Sequence, residues 1–475
     1  INARLVFAVV SSACWSAFQH GYNTGVLNTP QDIISDWLQR DALSGTNMSV
    51  SFKEDKKVTS TLSIIVSVYC VGGMIGGMLT GVVADRLGRK GGLLANNILV
   101  FLAVACESSA KPAGSAILLI LGRLLIGINN GFNAGLAPMY LAEISPVSLR
   151  GSIGTVYQLV ITITILLAQC LGLSTVLGTP AGWPWLLAVT AIPAALQCIM
   201  LPLCPESPKY LLLNKGQEVH AQRALNWLRG DVAVHGEMEE MHQEAEKNKV
   251  SKKVTLRELF RNRQLRQPLV IAIVVMVAQQ LSGINVAMYF STDIFKTAGL
   301  SQQHSQYATL GTSAMNVIMT VISLVLVEVA GRKTLLLTGF GGMLACTVGL
   351  CVAVFRRLRW YCYTAHAWVS YLCVALVILF VVSFAAGPGS IPWFLVTELF
   401  NQSARPAASS VAVTVNWLAN FIVGISYLDL AVLGSNAFAV FAVLQLLFII
   451  FIYFKVPETK NKNVEEITAM FRQQM

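Results

Sequence analysis

The chain has 475 residues, 55% of them hydrophobic and only 12% charged, with a mean hydropathy of +0.62. A soluble chain of that length carries about a quarter of its residues as charges, so this composition excludes a cytosolic enzyme, a disordered scaffold and a secreted disulfide-stapled module, and points to a polytopic membrane protein. The net charge of +10 then reads as cytoplasmic loops rich in Lys and Arg rather than as a nucleic-acid surface.

Twelve apolar runs approach the roughly 20 residues a bilayer-crossing helix needs. They fall near 5–27, 59–83, 92–109, 115–140, 151–174 and 183–204, then 267–291, 306–329, 334–354, 367–399, 407–427 and 434–455. An even number puts both termini on one face. Cytoplasmic termini give that face 24 Lys and Arg against 9 opposite, with Arg123 inside a span completing the 34. The short loops alone favour the same side by 12 to 9, and short loops carry the rule. Asn47-Met48-Ser49 is an N-glycosylation sequon in the loop after the first run, which this orientation places outside. The first run shows no small-residue cleavage site and is expected to stay as a helix that directs insertion. Residues 205–266 are polar, and Leu213, Ala221, Ala224, Leu225 and Leu228 recur at helical spacing, predicting solvated amphipathic helices on the cytoplasmic face. The small residues Gly72-Gly73, Gly76-Gly77 and Gly81 predict close helix packing. The ten cysteines show no CxxC pair and no metal-ligand spacing with His, so neither a metal site nor an essential disulfide is expected.

The two sets of six runs repeat each other. Asp85-Arg86-Leu87-Gly88-Arg89-Lys90 answers Glu328-Val329-Ala330-Gly331-Arg332-Lys333. Glu143 and Arg150 answer Glu398 and Arg405, each pair seven residues apart, and Pro205-Glu206-Ser207 answers Pro457-Glu458-Thr459. The motifs keep one order, after the second, fourth and sixth span of each set. Two parallel six-helix repeats are the architecture of major facilitator transporters, whose site lies between the repeats near the membrane midplane. The expected fold is therefore an all-α membrane protein of twelve transmembrane helices in two six-helix bundles, 1–204 and 267–455. A cytoplasmic helical subdomain occupies 205–266 and a cytoplasmic segment 456–475. Asp85, Glu143, Glu206, Glu328, Glu398 and Glu458 stand at cytoplasmic helix ends with Arg89, Arg150, Arg332 and Arg405. Pairs bridging the repeats would hold the cytoplasmic side shut. Taken as exposed pairs worth about 0–1 kcal/mol each, they would need to act as a network.

GYNTG (21–25), PMYLAEISPVSLRG (138–151), PESPKYLL (205–212), QQLSGIN (279–285), VEVAGRK (327–333), GPGSIPWF (387–394), TELFNQSARPAA (397–408), NW (416–417) and VPETK (456–460) together resemble the sugar-porter branch of the major facilitators. The animal facilitative hexose transporters are the most similar group within it, and the resemblance runs from about residue 5 to 470. It implies that Gln158, Gln279, Gln280, Asn285, Asn316, Trp393 and Asn416 contact sugar, and that Tyr289 and Phe290 form an outer gate. The chemistry agrees for the amides: a hexose offers many hydroxyls and no charge, and each Asn or Gln side chain both donates and accepts. Neutral amides in apolar spans are expected to face the interior. Ser282-Gly283 would let span seven bend or break, and Trp393 follows a Gly-Pro-Gly-Ser-Ile-Pro run that cannot be a regular helix.

Three positions depart from the family pattern. Ala385 stands where many members carry glutamate, Ser390 where proline is common, and Met276-Val277-Ala278 where glucose-selective members carry Gln-Leu-Ser. These leave fructose transport open. Asn23 stands where proton-coupled relatives carry an aspartate facing the arginine here numbered Arg123. The resemblance implies a monomeric uniporter of glucose, with fructose open, in the plasma membrane. Its partners are hexose and lipid, with no nucleic acid and no cofactor. A proton-coupled symporter and a non-transporting sugar sensor are the alternatives. No HExxH, GxSxG or P-loop motif suggests an enzyme.

Overall fold

The computed structural model describes the backbone of residues 1–27, 30–42, 51–250, 252–359, 367–433 and 436–474. Side chains at 31, 51–56, 59, 289–293, 296–297, 302–303, 306, 355–359, 367 and 427–432 fall outside the description, as does Asn47. Among the described residues every regular element is helical. Ten helices are long and apolar enough to cross a membrane. The first of them, Ser60–Ala113, is two helices meeting at Gly88, whose φ is +79°. Residues 3–25 supply the remaining segment, with a stretch of wider π-helical winding at 10–14 between Ala3–Val9 and Trp15–Gly25. There the Ser11 and Ser12 hydroxyls donate to the carbonyls of Phe7 and Ala8, a back-bond that loosens helical winding. With these the twelve expected spans are present.

Two spans are discontinuous. Span seven is Arg263–Leu281 followed by Ile284–Thr297, with Gly283 at φ +94° between them. Span ten is Ala367–Ala386 followed by Ile391–Leu399, the Gly-Pro-Gly-Ser turn separating them. Both breaks fall where Gly and Pro remove the helical preference.

The chain divides into two compact units. The first comprises Ile1–Pro146, Ile163–Leu259 and Phe400–Leu418; the second comprises Val147–Thr162, Phe260–Leu399 and Ala419–Met475. Each unit thus includes a segment drawn from the other sequence repeat. In the first unit the glycine run packs two helices. A Cβ on Gly72 or Gly76 would collide with backbone of Ala116–Ile144, and one on Gly73, Gly77 or Gly81 would collide with residues 406–417. The polar stretch after the sixth span folds as Glu218–Arg229, His235–Val250 and Leu256–Arg261. Leu212, Ala221, Leu225, Val234, Met238 and Met241 form a small core of its own.

Candidate functional site

In the first unit Glu143 is the centre of a buried charge cluster. It ends the helix Ala116–Ile144. Arg89 meets it with Nη2 2.9 Å from Oε1 and Nε 2.9 Å from Oε2. Arg405 brings Nη1 to 3.0 Å of Oε1, and the Ser207 hydroxyl donates to Oε2. Arg89 also donates to the Ala84 carbonyl, and Arg405 to the Phe400 carbonyl and to Gln402 Oε1. Among the described residues Glu206 makes no ion pair with a guanidinium side chain. Its Oε1 accepts the backbone N–H groups of Arg89, Lys90 and Ser207 at 3.2, 3.0 and 2.8 Å. Gly88 makes this possible, since a Cβ there would strike the Glu206 carboxylate. Burial pushes the Glu206 carboxyl above its ordinary range despite these donors.

The second unit repeats the arrangement. Glu398 receives Arg332 Nη2 at 3.0 Å and Arg150 Nε at 2.9 Å, both on Oε1, while the Thr459 hydroxyl donates to Oε2. Arg332 also donates to the Val327 carbonyl and Arg150 to that of Lys462. Glu458 accepts the backbone N–H groups of Arg332, Lys333 and Lys460, beside Gly331 at φ +85°. Glu328 lies 3.7 Å from Arg332 and accepts the Ser152 N–H at 2.8 Å.

Two expectations need correction. Asp85 is not joined to these arginines by any described contact; it pairs with Lys253 of the polar subdomain at 3.0 Å. The central pairs are also not exposed: the Glu143, Arg89, Glu398 and Arg332 side chains are all 0% accessible. Coulomb attraction is stronger there than at a surface, but so is the desolvation cost, and removing one partner costs about 3–5 kcal/mol.

The expected sugar-contacting residues, Asn416 excepted, lie in the second unit. Trp393 opens the short helix Ile391–Leu399 and donates from Nε1 to Gln158 Oε1 at 3.0 Å, with Tyr157 edge-on to its ring at 5.9 Å. Gln279 donates to the Gly389 carbonyl at 2.7 Å, Gln280 to Gln279 Oε1 at 3.4 Å, and Asn285 to Gln280 Oε1 at 2.7 Å. Asn316 is buried, and its side-chain oxygen accepts no hydrogen bond among the described residues. The structure therefore links Gln158 with Trp393, and Gln279 with Gln280 and Asn285. Asn416 is buried on the helix Arg405–Leu433, in the first unit. Tyr289 and Phe290 lie outside the residues whose side chains are described. Amides and an indole, none of them ionised, suit a neutral polyhydroxyl ligand.

Near the start of the first unit, Asn23 donates to the Gln19 carbonyl and to Thr190 Oγ1, at 2.7 and 2.8 Å. Arg123 places both Nη atoms 3.3 Å from the Asn23 carbonyl and lies 4.4 Å over the Tyr69 ring. The sequence reading missed the hydroxyls of Ser207 and Thr459. The signal was present in the paired Pro-Glu-Ser and Pro-Glu-Thr motifs, whose third position keeps a hydroxyl.

Residues 9–471 match the family described as sugar (and other) transporter. The chain is 44% identical over 474 residues to facilitated glucose transporter member 1 of solute carrier family 2 from Gallus gallus, covering 100% of this chain and 94% of that one. It is also 44% identical over 461 residues to facilitated glucose transporter protein 1 of Caenorhabditis elegans, covering 96% and 88%. Among solved structures, the proton:xylose symporter XylE bound to 6-bromo-6-deoxy-D-glucose superposes with a TM-score of 0.85 at 25% identity, covering 99% of this chain and 100% of that one. With its duplicated charge motifs and its major facilitator fold, the chain belongs to the sugar transporter family, in the branch of the facilitated glucose transporters.

Proposed function

We propose that the protein is a passive hexose carrier, moving glucose down its gradient by alternating access. The full-length identity of 44% to a facilitated glucose transporter carries this reading. Gln158, Gln279, Gln280, Asn285, Asn316 and Trp393 hydrogen-bond the sugar, and Asn416 joins them on the family match alone. Tyr289 and Phe290 close the outer side. The clusters around Glu143 and Glu398 close the cytoplasmic side, because each glutamate takes one arginine from its own repeat and one from the other. The carrier acts as a monomer in the plasma membrane, a carrier rather than an enzyme. Both termini and the segments 205–266 and 456–475 are cytoplasmic, the bundles are 1–204 and 267–455, and Asn47 is glycosylated outside.

Uniport rather than proton symport is favoured by Asn23. Symport needs an ionisable group whose charge alternates with substrate binding, and beside Arg123 this chain places an amide that cannot release a proton. The test is uptake of labelled glucose and fructose into proteoliposomes, each competed by the other, with and without an inward proton gradient. Equilibration without accumulation is expected. Uphill accumulation abolished by a protonophore overturns the uniport reading, and absence of saturable hexose flux overturns the carrier reading.

A further inference from the structure

Within residues 437–454 of the last span Gln445 is the one amide, and the rest of that stretch is hydrophobic. An amide in such a helix is costly unless it has partners. Gln445 is fully buried and donates from Nε2 to the Ser282 carbonyl at 2.6 Å and to Thr347 Oγ1 at 3.1 Å. Ser282 caps the first half of span seven, where the last carbonyls of a helix lose their i+4 partners. Its own hydroxyl donates to the Gln279 carbonyl at 2.9 Å. Immediately after it Gly283 takes φ +94°, and a Cβ there would press on the Phe441 ring. Gln445 thus holds the backbone at the point where span seven breaks.

What lies on either side of that point matters. Gln279 and Gln280 precede the break and Asn285 follows it, with Asn285 bonded back to Gln280 across it. Beside the start of the second half-helix lies a small apolar cavity lined by Gly283, Val286, Ala287, Leu350, Phe380 and Phe441, while its far end packs through Phe295 against Leu350 and Val377. A void forfeits the contacts that would otherwise set position.

We propose that Gln445 is a positioning residue for sugar recognition: it fixes the broken segment of span seven, and so the spacing of Asn285 from Gln279 and Gln280. This rests on the reading of the chain as a hexose carrier. Gln445→Met keeps the side chain's length, removes its donors and leaves residues 437–454 uniformly apolar. Its uptake KM for glucose should rise by about threefold to tenfold, as expected for loss of a hydrogen bond or two. Vmax per folded carrier should stay within about twofold of the native value. Thr347→Val, which removes the second acceptor, should move KM the same way by less, and it carries the test if the Met variant fails to insert. A fall in Vmax at unchanged KM would mean a merely structural role and overturn the proposal. Should the native protein carry no hexose, the carrier reading fails by itself. Hydrogen–deuterium exchange then decides about Gln445: the amides of 283–288 should exchange about tenfold faster in the variant, and unchanged exchange overturns the proposal.

Discussion

Neutralising Glu398 is the sharpest test of the charged latch. Glu398→Gln keeps the shape and leaves an acceptor for Arg150 and Arg332, now 2.9 and 3.0 Å from Oε1. What it removes is the negative charge. Hydrogen bonds to charged groups are worth about 1.5–3 kcal/mol against 0.5–1.5 for neutral ones, so each of the two bonds weakens by about 1 kcal/mol. The Arg332 bond lies within one repeat and weakens equally whether the cytoplasmic side is closed or open, so only the Arg150 bond, about 1 kcal/mol, distinguishes the two states. The closed-to-open ratio on the cytoplasmic side should therefore fall by about fivefold. The assay uses a background without native cysteines and a single cysteine placed on the cytoplasmic half of the transport path. Labelling by an impermeant thiol reagent applied from the cytoplasmic side should rise sharply in the variant. Glu143→Gln should do the same, because Arg89 and Arg405 meet it in the same way. Labelling at the native rate in both variants would make these charges static anchors and refute the latch.

Gln279→Ala and Asn285→Ala should each weaken glucose binding by about a fewfold to tenfold, the worth of one or two neutral hydrogen bonds, with membrane insertion intact; equilibrium binding to purified protein decides, and native affinity in both would move the site elsewhere. Glu206→Gln tests the buried carboxyl. Because burial raises the Glu206 pKa, its favourable contribution is complete below the unfolded value of about 4.3 and is lost as pH rises through the folded value. Native protein should therefore lose thermal stability relative to the Gln variant as pH rises above about 4.3, and parallel melting profiles would contradict this. Asn23→Asp sets a titratable group beside Arg123 and should make glucose uptake pH-dependent where the native protein's is flat; identical pH profiles would show that this position does not govern coupling.

The repeat was the most legible feature of the sequence, because charge in an apolar chain is rare enough for three matched motifs to stand out. Their chemistry was legible only in part. Sequence spacing placed Glu143 and Arg150 at one helix end, yet it could not show that Arg150 reaches Glu398 while Arg405 reaches Glu143. Nor could it show that Asp85 turns to Lys253, since both outcomes depend on where distant helix ends meet. Burial was misread for the same reason: carboxylates at helix ends look solvated until other elements close over them. The breaks at Gly283 and at 387–390 were readable, being local properties of Gly and Pro. Gln445 was not, because one amide in an apolar run gives no hint of its partner until Ser282 is found opposite it.

The proposed latch, if it opens in every transport cycle, must not be too strong, and the composition of these clusters bears on that. One seven-residue spacing, Glu then Arg, occurs twice. Each copy offers its glutamate to the other's arginine, so duplication alone yields two reciprocal contacts between the repeats. An apolar interface of similar extent would gain free energy in proportion to the area buried, and opening it would cost all of that gain. A buried ion pair differs: its Coulomb attraction is largely offset by the desolvation of its members. Under the proposed latch, the closed form would then lie within a few kcal/mol of the open one, the range in which a ligand's differential affinity can shift the balance. Selectivity of closure still comes from geometry. Glu143 and Glu398 each hold two guanidinium groups and a hydroxyl at fixed positions, and further guanidinium N–H groups donate to the carbonyls of Ala84, Phe400, Val327 and Lys462. Misregistered closure would strand those charges without water or partners, so the same network that is weak in net energy is strict about how the helix ends meet.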